Sequence, residues 1–375
     1  MPRSRRGSGR LTSQVVEAHT TATASRSADV ASLDSRDFLA ASQEHGSMHK
    51  VVITDFIADD LATEREALAG LATVEAFDAH HEDELAGRIE DATAIMMYHN
   101  LRLSQQTIQQ LKNCRLIVRC GVGFDNVDHA FARERGIAVA NVPDYGTEEV
   151  ADSAIGMMLA LTRGINQLNV RLRDQPDPWM YHVCAPLRRL RGRTFAIIGL
   201  GRIGIATALR AKAIGMDVAF YDPFRQDGFD KSLGVRRVES VEALFRQAFV
   251  LSLHCPLTPE TRHLVNAESL ELLPRGAYLI NTARGGVVDT AALPAALASG
   301  RLAGAGIDVL VQEPPSPDDP LLSVWRDRSH PAFERLIVNP HAAFYSEEGL
   351  LDMRVKGSDA CRRALQGQPL RNVVN

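Results

Sequence analysis

Residues 194–223 read TFAIIGLGRIGIATALRAKAIGMDVAFYDP. A fully apolar run is followed at once by Gly199, Gly201 and Gly204 in GxGxxG spacing, and then by residues with helical periodicity. Each glycine has its own physical task. Gly199 permits a tight turn, Gly201 lets the backbone approach a pyrophosphate, and Gly204 allows helix and strand to pack closely. The amides of Arg202 and Ile203 then point at phosphate from the helix N-terminus. The next apolar run ends at Asp222, where a carboxylate accepts hydrogen bonds from adenosine ribose hydroxyls and repels a 2′-phosphate. A glycine turn serving packing alone leaves Asp222 unexplained. The stretch therefore predicts a strand–turn–helix–strand unit that binds NAD in preference to NADP, with Arg225 close enough to bear on that choice.

Outward from this unit the same alternation continues in both directions. Downstream, AFVLSLH, AYLINT, AGAGIDV and RLIVNP read as further strands; upstream, KVVITDFI, ATVEAF, ATAIMMY, CRLIVRC and IAVANV form an earlier series. Helical stretches such as LATEREALAG and DELAGRIED separate them, which predicts an α/β protein with parallel sheets. From Thr147, GTEEVADSAIGMMLALTRGINQLNVRL predicts one long helix able to bridge two lobes, with Glu148 and Glu149 favourable to its dipole. The stretch DQPDPWMYHVCAPLRRLRGR reads as a loop, and SEEGLLDMRVKGSDACRRALQG as a helix that returns to the first lobe.

Composition narrows the function classes. The 375-residue chain carries 42 Lys and Arg against 46 Asp and Glu, so it has no basic surplus for a nucleic-acid backbone. Its five cysteines are scattered without a CxxC pair, which fits neither a disulfide framework nor a zinc site and predicts a reducing, cytoplasmic compartment. Apolar stretches such as AIGMMLALT fall far short of the roughly 20 residues a membrane span needs. Residues 1–47, rich in Ser, Thr, Ala and Arg, read as a disordered extension or as an over-long start, since Met48 directly precedes the first strand.

A dinucleotide-binding sheet presents its ligands outside the carboxyl ends of its strands. At those ends stand Arg284 after AYLINT, Asp308 and then Glu313 after AGAGI, and His341 after RLIVNP. Each has a bland reading: a surface arginine, a turn-capping aspartate, a solvated glutamate, a satisfied histidine. Together they match the needs of hydride transfer to a 2-keto acid. Such a reaction requires a cation to grip the carboxylate and polarise the carbonyl, and an acid to protonate the nascent alkoxide. Arg284 suits the first task and His341 the second, with Glu313 orienting the ring and favouring its protonated form. Asp308 stands where it caps a turn, meets the nicotinamide amide or stabilises the arginine. His254, followed by Pro256 and Thr261, opens a loop on the cofactor side. In the first lobe the amides of Gly121, Val122 and Gly123 predict an anion-binding nest, and Tyr98, His99 and Asn100 end a neighbouring strand.

These residues resemble the D-isomer-specific 2-hydroxyacid dehydrogenases. The resemblance rests on GLGRIG, LHCPLTPETRHLVN, NTARGGVVD, GIDVLVQEPP and NPHAA, in that order, and covers Val51 to Asn375. Within the family, MMYHNLRL, RCGVGFDNVD and PHAAFYSEE are most similar to the C-terminal binding protein branch, dehydrogenase-like corepressors in animals. The resemblance implies two Rossmann-like doubly wound parallel-sheet domains. A NAD-binding domain, residues 147–342, is inserted into a discontinuous substrate-binding domain, residues 48–146 and 343–375. It also implies a homodimer formed near Thr147, and the catalytic set Arg284, Glu313 and His341. The cofactor surface adds Val122, Thr147, Thr282 and Ala283 to the residues above; the substrate surface comprises Tyr98, His99, Gly121, Val122, Gly123, Arg284 and Phe344.

Three departures bear on substrate. Phe344 stands where the corepressor branch has tryptophan, SPDDPLLSVWRDRSHPAFER is longer than usual, and YHNLRL lacks the arginine with which phosphoglycerate dehydrogenases bind a substrate phosphate. The expectation is a dehydrogenase of a small unphosphorylated 2-keto acid, with neither nucleic acid nor membrane as partner. The rival expectation is an NAD(H)-sensing, corepressor-like scaffold.

Overall fold

A computed structural model describes residues 48–375; the expected N-terminal extension, residues 1–47, lies outside the described residues. All eleven apolar runs form strands, because a parallel sheet covered on both faces demands side chains that tolerate burial on both sides. In β3 (Ala94–Met97), β4 (Leu116–Arg119), β9 (Val250–Leu253) and β10 (Ala277–Asn281), every residue is buried. With β1 (His49–Ile53), β2 (Ala72–Ala76) and β5 (Ala138–Asn141), the first lobe builds a five-stranded sheet in the order β2-β1-β3-β4-β5. The second lobe adds β6 (Thr194–Ile198), β7 (Asp217–Tyr221), β11 (Leu302–Ile307) and β12 (Leu336–Val338). Its seven strands run β12-β11-β10-β9-β6-β7-β8, where β8 is the two-residue edge strand Arg236–Arg237. Every pairing in both sheets is parallel. Strand order reverses at β1 and at β6, so each sheet opens a crevice at its carboxyl edge there.

The long helix predicted from Thr147 is two helices, Thr147–Thr162 and Ile165–Asp174. Gly164 separates them at φ +67°, a left-handed conformation that halts the first helix and starts the second. The first helix lies directly on β10 and β11. Gly304 and Gly306 of β11 make that approach possible, since a Cβ on either would come within 3.1 Å of Leu161 or 3.0 Å of Met157.

The chain returns through a helix at Glu347–Leu365, capped by the Ser346 hydroxyl, which accepts from the Gly349 amide at 2.8 Å. Met353, Cys361 and Ala364 enter the core formed by Val51, Met96 and Val118 of the first sheet. Arg354 fastens this helix to the helix Ala62–Ala67. Its guanidinium donates to both Glu64 carboxylate oxygens at 2.6 Å and to Asp59 at 2.9 Å, with Glu64 fully buried. Beyond it, the Val374 amide donates to the Val139 carbonyl at 2.8 Å, and the Asn375 side chain bonds Val139 and Ile137. The last residues thereby cover the open edge of β5.

Replacing Arg354 with Met keeps the aliphatic stem and leaves a buried carboxylate without its cation. The expected loss is about 3–5 kcal/mol of first-lobe stability, partly restored by adding Glu64→Gln. Urea unfolding reads it, and a loss under about 1 kcal/mol for the single variant would contradict the clamp.

Candidate active site

His341 follows β12 in a left-handed conformation, φ +54°, which a non-glycine residue holds only under external constraint. Asp308 supplies that constraint. Its carbonyl accepts from the His341 amide at 2.7 Å. Its carboxylate accepts from the amides of Ala342 at 3.0 Å and Ala343 at 3.1 Å. Burial pushes the Asp308 carboxyl up, and the two amides pull it back toward ionisation. Asp308 therefore organises the turn that carries His341. The ring of His341 is then fixed by Glu313, whose Oε2 lies 2.7 Å from Nδ1 while its Oε1 accepts from the Leu310 amide at 2.7 Å. Burial alone would raise the Glu313 carboxyl, but the bond from His341, its charge and the Leu310 amide hold it below the usual range. With Nδ1 engaged, Nε2 is the nitrogen left for chemistry.

Arg284 leaves β10 through a turn organised by Asn281, which accepts from the Ala283 amide and donates to the Arg284 carbonyl, both at 3.0 Å. Its Nε donates to Asp125 of the first lobe at 3.0 Å, and its Nη1 to the Ala283 carbonyl at 2.8 Å. Arg119, the last residue of β4, is a second guanidinium at this place, 6% exposed. It donates to neutral groups, the Cys120 carbonyl at 3.3 Å and Asn126 Oδ1 at 3.5 Å. Burial, then the charge of Arg284, holds its pKa below the usual arginine value. The two arginines explain the glycines expected to form a nest. A Cβ on Gly121 would fall 1.5 Å from Arg119 Nη1, and one on Gly123 would fall 1.3 Å from Arg284 Nη2. The Gly121 amide already donates to the Arg119 carbonyl at 2.8 Å, and the Val122 carbonyl accepts from Asn141 at 2.7 Å. The loop thus packs closely against both guanidiniums, and of the three amides expected to form a nest the one at Gly121 is engaged within the loop.

Alternation at the end of β3 separates Tyr98 from His99. Tyr98 is 0% exposed and packs inside the first lobe, so the substrate-facing role expected of it falls to His99 alone. The amides of Tyr98 and Asn100 are held by the buried Asp55, at 2.8 and 2.9 Å. The His99 ring lies 4.7 Å from Phe56, 5.5 Å from His341 and 5.6 Å from Phe344, and Phe344 also meets Tyr145 at 5.8 Å. Burial, with the charges of Arg119 and His341, pulls His99 down to about 3, so it is neutral at physiological pH. His99, Arg119, Asp125, Arg284, Glu313 and His341 line one cavity of about 150 Å³ between the lobes, room for a molecule of a few heavy atoms. The long segment after Glu313 forms a helix, Pro320–Arg326, whose Leu321 and Leu322 are buried, Leu321 in the second-lobe core.

The dinucleotide turn has the expected form. Gly199 sits at φ +88°, and a Cβ there would meet the His254 carbonyl at 2.7 Å; one on Gly204 would meet the Gly199 carbonyl at 2.2 Å. Gly201 faces open space except for Arg225. Asp222 accepts from the amides of Leu200 at 2.8 Å and Phe224 at 2.9 Å. Arg202 and Ile203 begin the helix Arg202–Ala213, and Thr147 begins its own helix nearby in the chain order expected. His254 supports the turn from beneath, its Nε2 2.8 Å from Ser252 Oγ. Thr261 donates to the Pro256 carbonyl at 2.7 Å, closing that loop on itself. Thr282 Oγ1, beside Ala283, is buried without a partner at the carboxyl end of β10. An open glycine turn, a carboxylate at the end of β7 and an orphaned hydroxyl fit a dinucleotide.

The sequence reading missed Arg119, Asp125, Phe56 and Tyr145. Arg119 carried a usable signal, since it ends an apolar strand by the same rule that found Arg284.

The family model described as "D-isomer specific 2-hydroxyacid dehydrogenase, NAD binding domain" matches residues 155–343. The chain is 34% identical over 329 residues to a D-3-phosphoglycerate dehydrogenase of Methanocaldococcus jannaschii, covering 88% of this chain and 60% of that protein. It is 33% identical over 327 residues to C-terminal-binding protein 1 of Caenorhabditis elegans, covering 84% of this chain and 44% of that protein. The chain thus spans about half the length of these curated relatives. Among solved structures it is similar to a D-lactate dehydrogenase from Aquifex aeolicus complexed with NAD and lactic acid. The TM-score is 0.76 at 28% identity, covering 84% of this chain and 96% of that one.

The two imidazoles generate a stability prediction. Burial pulls His254 to about 4 and His99 to about 3, both below the ordinary 6.5. Between those values the unfolded chain binds the extra proton, so stability falls as pH is lowered from neutrality. For His254 the loss at pH 5 is about 2 kcal/mol. His254→Gln, which cannot titrate, is expected to lose that much less than the parent between pH 7 and pH 5 in urea unfolding. Equal losses would refute the assignment.

Proposed function

The chain belongs to the D-isomer specific 2-hydroxyacid dehydrogenase family, and on that premise we propose that it interconverts a small unphosphorylated 2-keto acid and its D-2-hydroxy acid with NAD. The observation that carries the proposal is the convergence of Arg284 and the Glu313-clamped His341 on one cavity. When bound, the nicotinamide supplies or accepts the hydride. Val122, Thr147, the Gly199–Gly204 turn, Asp222 and the Thr282–Ala283 strand end would hold the dinucleotide.

The chain's own groups do the rest. Arg284 presents parallel N–H donors to the substrate carboxylate and draws charge toward the carbonyl oxygen. His341 gives its Nε2 proton to that oxygen as it becomes an alkoxide, and Glu313 at 2.7 Å stabilises the imidazolium before transfer. His99 is neutral and cannot compete as proton donor near pH 7. Arg119 adds a second buried positive charge, which favours an acid over a neutral ligand. Phe56 and Phe344 pack against the His99 ring and hold it in place. Residues 48–146 with 343–375 act as the substrate-binding domain and residues 147–342 as the NAD-binding domain.

The protein is cytoplasmic and homodimeric in this reading, and among the described residues no helix is long and apolar enough to cross a membrane. Support for the dimer comes from the arm after the helix Thr147–Thr162. There Trp179, Met180 and Tyr181, 52–80% exposed, line one surface hollow with Leu168 and Leu172, apolar side chains that a partner subunit would cover. Sedimentation is expected to give twice the chain mass, and Trp179→Glu with Tyr181→Glu to give monomers.

The decisive experiment follows NADH oxidation against glyoxylate, hydroxypyruvate, pyruvate, longer 2-keto acids and 3-phosphohydroxypyruvate. Rapid turnover of an unphosphorylated acid is expected. His341→Gln is expected to lower kcat by about 10²–10⁴ while changing NADH affinity less than threefold. Equal losses in both would remove His341 from the proton-transfer role. Tight NADH binding with negligible turnover across the panel would favour the corepressor-like scaffold.

A further inference from the structure

Between Asp177 and Asp217 the sequence carries no acidic residue, yet it places Arg188, Arg189, Arg191 and Arg193 within one short stretch. Neither the dinucleotide turn nor the catalytic cavity uses any of the four. Arg188 and Arg193 meet Arg275 and Arg335, which arrive from the segments before β10 and β12, around one hollow of about 790 Å³. The hollow lies at the amino ends of β6, β10 and β11, with Thr194, Ala277 and Ala303 on its wall. The cavity of Arg284 and His341 is at the opposite edge of the same sheet, one strand length or about 16 Å away along β10.

A helix end explains part of this charge. Arg275 Nη2 donates to the Ser299 carbonyl and Arg335 Nη2 to the Leu297 carbonyl at 2.9 Å, so both meet the end of the helix Leu293–Ala298. With the bond from Arg335 Nε to the Pro331 carbonyl at 2.7 Å, these contacts use one N–H of Arg275 and two of Arg335, of the five that a guanidinium carries. The rest is unexplained. Among the described residues, the side chains of Arg188 and Arg193 make no hydrogen bond or ion pair; Arg193 lies over the Phe249 ring, 5.4 Å from its centre. Phe249 meets Tyr278 edge-on at 5.5 Å, which gives the hollow an aromatic wall. No carboxylate lines it. Glu334, the nearest in sequence to Arg335, is turned to Arg171 and Gln167 instead. Burial holds Arg335 below the usual arginine value, against the pull of Glu334 and Tyr278. Four like charges around one concavity repel one another, and nothing in the chain offsets them. A guanidinium fork matches a phosphate or carboxylate group, and ligand pockets span roughly 300–1,000 Å³. Charge gathered in a hollow of this size, not spread along a stripe, suits a compact ligand over a polymer.

We propose that this hollow is a second ligand site, which takes a small anion bearing two or more phosphate or carboxylate groups at the sheet edge away from the dinucleotide. The inference does not rest on the dehydrogenase reading. Pyrophosphate, as the phosphate probe, and citrate, as the carboxylate probe, are titrated by calorimetry into the NADH-saturated protein at physiological salt. A Kd below about 1 mM is expected for at least one of them. Arg188→Gln with Arg193→Gln is expected to weaken that anion at least tenfold while leaving NADH affinity within twofold, and Arg188→Lys with Arg193→Lys to fall between. A control pair, Arg65→Gln with Arg133→Gln, removes the same charge from exposed positions of the first lobe and is expected to change anion binding less than threefold. Neither anion binding below about 1 mM, a loss under tenfold in the Gln pair, or an equal loss in the control pair overturns the proposal. Dissociation of the Arg188→Gln, Arg193→Gln protein into smaller species on sedimentation would assign these arginines to a subunit contact and overturn it as well. Anion binding without turnover of any keto acid would defeat the dehydrogenase reading and leave the second site standing.

Discussion

The crossing from the second lobe back to the first hangs on Asp308, a carboxylate only 1% exposed at the end of β11. It holds the amides of Ala342 and Ala343, while its own carbonyl takes the amide of His341. Within four residues the chain then serves two lobes: His341 lines the cavity, and Ala343 and Phe344 enter the core of the first sheet. The Ala343 carbonyl accepts from Ser153 at 3.1 Å, and Ser346 donates to Glu149 at 2.8 Å, so the helix from Thr147 braces the same crossing. A left-handed histidine is costly by itself, of order 1–3 kcal/mol, and persists because these bonds over-determine it.

The cavity gathers two guanidiniums and two imidazoles, yet only part of that charge is compensated. Arg284 has Asp125 and His341 has Glu313, whereas Arg119 has neutral partners and His99 stays uncharged. At an effective dielectric near 20, a unit charge 4 Å away is worth about 4 kcal/mol. A site left with uncompensated positive charge therefore selects for anionic ligands before any shape is considered. The rings of Phe56 and Phe344 pack against His99 on one side of this group.

Most of the scaffold was legible because it depends on local pattern. An apolar run is a buried parallel strand wherever it occurs, and the glycine turn is a backbone requirement that no other residue type meets. Arg284, Glu313 and His341 could be placed for the same reason: strand ends face the crevice. What escaped was decided at a distance. Asp308 meets its partners 34 and 35 residues away, and no spacing rule distinguishes that role from a cofactor contact. The two guanidiniums that lie where a Cβ on Gly121 or Gly123 would project come from either side of the lobe boundary, a contact no local spacing announces. Tyr98 and His99 differ by one residue and face opposite ways, a parity that hinges on where β3 ends. The edge strand Arg236–Arg237 has no apolar signal at all, and Gly164 breaks a helix whose periodicity runs on through it.

Gly146 has its own consequence. It precedes the helix Thr147–Thr162 on the outward path, and the Cβ it lacks would lie 3.3 Å from the Cβ of Phe344 on the return path. The two covalent connections between lobes therefore run side by side. Arg119 and His99 reach the cavity from one lobe and Arg284 and His341 from the other, so the spacing of all four groups depends on how closely the two passes of the chain pack at Gly146 and Phe344.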